Sequence, residues 1–234
     1  MSKGKETSLV TRSLALLPKM VVHPRRTARE LLSERTIYPS LIVVLGFAVL
    51  ESMLSLISYL AGDYPPPPEV LRTWIEAWGE FAMLPFIRVP AESYRLAMAV
   101  FMVPLMLAIW MLMAGSARLL SVLFGRGRVS FDGYLNLLGF SFFAFFIAAV
   151  FLDALVNGVF GGFELAALRG EYGPLLRSVF VAFPAVEYTV LFGLGGVYNA
   201  IVAREAEGYS IPKTAVVGFV TFLWPMVLVS LLLR

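Results

Sequence analysis

From residue 38 to residue 60 the chain carries one charged side chain, Glu51, and four further apolar stretches follow, at about 96–124, 134–160, 175–202 and 214–233. A helix needs roughly 20 mostly apolar residues to cross a bilayer, where every backbone N–H and C=O must be satisfied inside its own segment. Five such stretches in 234 residues leave little length for anything else. With 59% of residues hydrophobic and 15% charged, water is not the main solvent of this chain. The expected fold is all-α: a polytopic membrane protein, a bundle of about five transmembrane helices with short amphipathic helices at the interface. It divides into a basic arm over 1–37 and a membrane domain over 38–234.

The arm does not read as a cleaved leader, because Pro18 and Lys19 interrupt its apolar run. Val10, Leu14, Leu17 and Val21 recur at helical spacing, which predicts a short helix lying on the membrane surface. Thr27 and Glu30 have the spacing of a reciprocal cap and predict a second helix from Thr27 onward. Asp63, Tyr64 and four consecutive prolines end the first span. The 69–86 segment places Val70, Trp74, Ala77, Trp78 and Phe81 on one helical face and predicts an interfacial helix. Gly125-Arg126-Gly127-Arg128 reads as a basic, flexible break, with Ser130 and Asp132 as caps for the helix beyond it. Gly193, Gly195 and Gly196 predict close helix packing, and Asn199 a bond across helices.

Eight of the nineteen Lys and Arg residues precede residue 37. Short basic loops resist translocation, so the arm is expected on the cytoplasmic side. Thirteen basic residues then fall inside and six outside, which gives a multi-pass protein of the cell membrane with its N-terminus in and its C-terminus out. Lys19, Arg25, Arg26 and Arg29 form a basic surface facing lipid or a partner. The net charge of +3 has this explanation, and no basic-aromatic alternation points to nucleic acid. Arg outnumbers Lys fifteen to four and glutamine is absent, as in heat-adapted proteins, although ten methionines weigh the other way.

Charges at membrane depth are costly and face the bundle interior, where they become candidates for function. Glu51 and Glu187 both fall near mid-membrane and could meet, as a pair bonded to neighbouring helices or as a proton or cation site. Asp153 and Asn157, four residues apart on one helical face, form a polar patch nearer the outer surface. With no cysteine, one histidine outside the spans and no nucleophile or zinc motif, the reading expects no enzyme, no cofactor and no metal.

The order of parts resembles the Yip-domain family, the Ypt/Rab-interacting membrane proteins and their prokaryotic relatives, over most of the chain. The resemblance is carried by His23-Pro24-Arg25-Arg26-Thr27, by Gly-Arg-Gly-Arg-Val-Ser-Phe-Asp-Gly-Tyr at 125–134, and by the polar 203–214 turn before the last apolar stretch. It implies five spans, a cytoplasmic N-terminus, an exposed C-terminus and no catalytic residue. For eukaryotic members it implies vesicle traffic and binding of prenylated GTPases through an Asp-Leu-Tyr-Gly-Pro motif, which does not occur in these 234 residues. The expected function is a non-enzymatic membrane scaffold or adaptor whose partners are membrane lipids, a protein, or a further copy of itself. The alternative is a small transporter or channel component with its site at Glu51 and Glu187.

Overall fold

The computed structural model describes residues 8–34, 36–62, 81–84, 87–89, 91–144, 147, 151 and 174–232, and of 81–84, 87–89, 91–92, 174–188, 191 and 226–232 only the backbone. Seven helices occur among the described residues: α1 Leu9–Val22, α2 Pro24–Leu32, α3 Tyr38–Leu60, α4 Ala91–Leu123, α5 over 131–144, α6 Pro174–Glu207 and α7 Ile211–Leu232. A short antiparallel pair, β1 Phe81–Leu84 with β2 Ile87–Val89, lies between α3 and α4.

Two local expectations are corrected. The second helix starts at Pro24 rather than Thr27, since proline at the first helical position has its φ already set and gives up only an N–H that the first turn leaves unbonded. The Thr27 hydroxyl instead donates to the His23 carbonyl at 3.1 Å. Residues 81–84 are strand where an interfacial helix was expected; Pro85, next in sequence, disfavours helical backbone at the residue before it. The remainder of that expected helix, 69–80 and 85–86, lies outside the described residues. In α1, Ser13, Leu16, Leu17 and Met20 are buried while Leu9, Val10 and Leu14 are exposed, so the expected apolar stripe is split at Leu17.

Successive long helices alternate in direction. Ser40 and Val44 of α3 lie against Gly139 of α5, and Trp110 of α4 donates to the Leu135 carbonyl of α5 at 2.7 Å. The start of α5 therefore meets the start of α3 and the second half of α4. A β-carbon on Gly139 would come within 2.8 Å of Ser40 Cβ, which is why only glycine lets the two helices cross there. Gly195 faces the Phe222 ring, Gly196 faces Phe219, and Gly218 abuts the Ala200 backbone, which seats α6 and α7 at close range as the glycines predict. Gly193 faces open space instead.

The interior at this level is polar as well as apolar. The Ser141 hydroxyl donates to Asn199 Oδ1 at 2.6 Å, and the Asn199 amide donates to the Thr221 hydroxyl at 3.2 Å, joining α5, α6 and α7. Apolar side chains meanwhile cover the outside, among them Leu50, Met53, Leu54 and Ile57 of α3 and Val216, Val220 and Trp224 of α7. Large apolar side chains exposed along these two helices are a surface that lipid would accommodate. Two helical stretches, Tyr38–Leu60 and Ser93–Leu123, are long and apolar enough to cross a membrane, and Ile211–Pro225 is a shorter apolar helix. Much of the expected 134–160 span lies outside the described residues.

Candidate functional site at the Glu207 carboxylate

α6 runs five residues past the expected end of its span and finishes at Glu207. Gly208 follows with φ +69°, a left-handed conformation that ends the helix and that a side chain would strain. Glu207 is 1% exposed. A negative charge at a helix C-terminus is opposed by the helix dipole, and burial removes its water, so it needs donors from elsewhere.

Four are present, and they come from three segments. Glu207 Oε1 accepts from the Ser121 hydroxyl at 2.6 Å, the Val129 N–H at 3.0 Å and the Tyr134 hydroxyl at 3.1 Å. Glu207 Oε2 accepts from the Arg128 N–H at 3.0 Å. A carboxylate offers about four lone-pair positions, and the protein directs four donors at this one, three to Oε1 and one to Oε2. Burial acts to raise the carboxyl pKa, but the bonds from Ser121, Val129, Arg128 and Tyr134 outweigh it and hold the group below the usual carboxylate range.

The loop that supplies the N–H groups is hydrogen-bonded to α4 at several points. Arg118 Nη1 donates to the carbonyls of Gly127 and Val129, both at 2.8 Å, and the Gly127 N–H donates to the Ser121 hydroxyl at 2.9 Å. Gly127 takes a positive φ of 58° while Arg118 Nη1 would approach within 3.3 Å of any β-carbon there, so the loop passes close over the guanidinium. Ser130 then caps α5, accepting from the Gly133 N–H at 3.2 Å, as its sequence position predicts. Beside this centre Tyr209 packs edge-on against Phe124, and the Lys213 ammonium lies 5.3 Å from the Phe124 centroid.

The basic arm joins the same end of the bundle. Asn136 of α5 donates to the Leu31 carbonyl at 3.2 Å, and Tyr198 of α6 donates to the Val21 carbonyl at 3.2 Å. Arg29 and Arg25 lie 2.9 and 3.9 Å from the Glu205 carboxylate, and Arg12 pairs with Glu34. Lys19 and Arg26 are exposed. The three segments singled out in the sequence, 23–27, 125–134 and 203–214, thus share one end of the molecule.

Of the expected intramembrane residues, Glu51 is half-buried on α3, beside Ser52, whose hydroxyl donates to the Ala99 carbonyl of α4. Glu187 belongs to α6, but its side chain, like Asp153 and Asn157, lies outside the described residues. Glu207 and Arg118 were missed by sequence reasoning. The available signal was an acid at the end of a polar turn followed by glycine, which is also how an ordinary solvated helix end looks. No family model, no curated protein and no solved structure matches this chain.

Proposed function

We propose that the chain is a non-enzymatic scaffold of Yip-domain type: an integral membrane protein of five spans with its arm in the cytoplasm, acting by holding lipid or a partner protein. One observation carries this reading. The most completely built polar centre among the described residues holds its only buried carboxylate with four protein donors from three segments and leaves it 1% exposed, so the group joins parts of the chain rather than being presented at a surface. Such a centre ties helix ends together. It makes a rigid platform from the arm, the 125–130 loop and the 203–214 turn, which are also the parts that carry the family resemblance.

The orientation is supported by charge. Arg25, Arg26, Arg29, Arg118, Arg126, Arg128, Arg204 and Lys213 belong to the segments gathered at the Glu207 end, the side that the excess of basic residues would keep in the cytoplasm. The absence of cysteine makes the test direct. Single cysteines at Ser33, Ala61 and Arg126, probed in intact cells with a membrane-impermeant maleimide, should react from outside only at Ala61→Cys. Labelling of Ser33→Cys or Arg126→Cys from outside would end the five-span, N-in reading.

A second reading, transport, is favoured by Glu51, which has no polar partner among the described residues although it sits in a helix long enough to span. Sealed vesicles containing the protein decide between the two. The scaffold reading expects no proton or cation flux, and flux abolished by Glu51→Gln would replace it.

A further inference from the structure

Besides the Glu207 centre, the bundle end carries an open cleft of about 430 Å³ where α1 passes into α2 against α6, lined by Val22, His23, Pro24, Arg25, Arg26, Arg29 and Ile201. We propose that this cleft is a headgroup site for an acidic phospholipid, an inference that rests on the five-span reading above.

Its chemistry is that of a phosphate acceptor with an apolar floor. Three arginines line it, and two of them share one carboxylate, Glu205, which engages Arg29 at 2.9 Å and Arg25 at 3.9 Å. Arg26 has no carboxylate partner among the described residues, and the cleft keeps a net positive charge. Guanidinium groups bind phosphate oxygens in pairs and are weakly hydrated, so they suit a phosphodiester at an interface better than lysine does. The N-terminus of α2 adds the positive end of its dipole, and His23 supplies no side-chain cap there. Val22, Pro24 and Ile201 offer apolar contact to the glycerol and first acyl carbons; Val22 is 67% exposed, a cost in water that lipid would remove.

The depth is right for a headgroup. Ile201 lies one residue before the expected end of the apolar 175–202 stretch, whereas α6 has 34 residues and extends to roughly 50 Å. The hydrocarbon core is about 30 Å thick, so the Glu207 end projects beyond it and the cleft falls where headgroups are found. A net-positive cleft favours a lipid whose phosphate is not offset by a choline or ethanolamine cation.

The test uses the full chain in nanodiscs of phosphatidylcholine with a minor fraction of phosphatidylglycerol, and counts bound phosphatidylglycerol by native mass spectrometry. Arg25→Gln, Arg26→Gln and Arg29→Gln together should lower it about tenfold, the loss expected from a few charge-assisted hydrogen bonds. Arg126→Gln, Arg128→Gln and Lys213→Gln remove the same charge from exposed positions that do not line the cleft and should change it less than twofold. Arg26→Gln alone, which breaks no ion pair among the described residues, should already lower it. Equal losses in both triple variants would mean diffuse attraction to the basic end of the bundle and overturn the proposal, as would no loss in either. Displacement by inorganic phosphate at concentrations that leave the lipid intact would make it a free-phosphate site and likewise overturn it. The cysteine labelling separates the two readings. With Ala61→Cys alone reactive from outside and lipid binding unchanged by the arginine variants, only the cleft assignment fails.

Discussion

Arg118 and Glu207 are joined through a single peptide group. Arg118 Nη1 donates to the Gly127 carbonyl at 2.8 Å, and the other end of that peptide unit, the Arg128 N–H, donates to Glu207 Oε2 at 3.0 Å. Each bond polarises the amide in the sense that strengthens the other, so a cation on α4 stabilises an anion on α6 across one turn of loop. This chain of bonds explains how a buried carboxylate persists without a guanidinium directly upon it, and it ties the glycine-rich loop to both helices.

Removing the charge should be costly. Glu207→Gln keeps the size of the side chain but turns one acceptor into a donor that faces N–H and O–H groups already donating. The expected loss is about 2–4 kcal/mol, the range for breaking a buried, charge-assisted network. Thermal unfolding of the detergent-solubilised protein reads it as a lower Tm, and an unchanged Tm would show that the carboxylate does not hold the end of the bundle. Tyr134→Phe, which removes one of four donors, should cost about 1 kcal/mol.

The same carboxylate sets a pH dependence with a definite sign. Its folded-state pKa lies below the ordinary value of 4.5, so the folded state binds fewer protons than the unfolded state near that pH. Its contribution is therefore fully present above 4.5 and is lost as pH falls through the lower folded value. Wild-type Tm should drop more steeply below pH 4.5 than that of Glu207→Gln. Parallel curves would show that another group controls acid stability.

The α6–α7 seam should separate two glycines that look alike in sequence. A β-carbon at Gly218 would sit 2.5 Å from the Ala200 nitrogen and the Gly196 carbonyl oxygen, backbone atoms that cannot turn aside, whereas one at Gly193 meets nothing within 4 Å. Gly218→Ala should destabilise by about 1–3 kcal/mol, as overpacking does. Gly193→Ala should be neutral or stabilise by up to about 1 kcal/mol through helix propensity. Equal effects in unfolding experiments would mean that the helices do not approach as described.

Much of the architecture could be read along the chain because it depends on local quantities. Helix α3 has the bounds expected from its apolar run, and α7 and the apolar part of α4 follow theirs to within a few residues. The Ser130 cap and the cross-helix bond of Asn199 were equally legible, since a hydroxyl before a helix and an amide within an apolar one each have few partners to choose from. The 81–84 strand and the start of α2 went astray where proline, rather than periodicity, decided the backbone.

Apolar length, the position of proline and glycine, and the bias of arginine toward one end are written in sequence order, and from them the sequence alone determined a helical chain with stretches long and apolar enough to cross a membrane. Only the tertiary structure decided that Glu207 is the anchor of the bundle end. Its four donors come from residues 73 to 86 positions away, and nothing in its immediate neighbours distinguishes it from a solvated helix terminus. Burial of a charge is a property of the segments that surround it, and those segments meet only after the helices have packed.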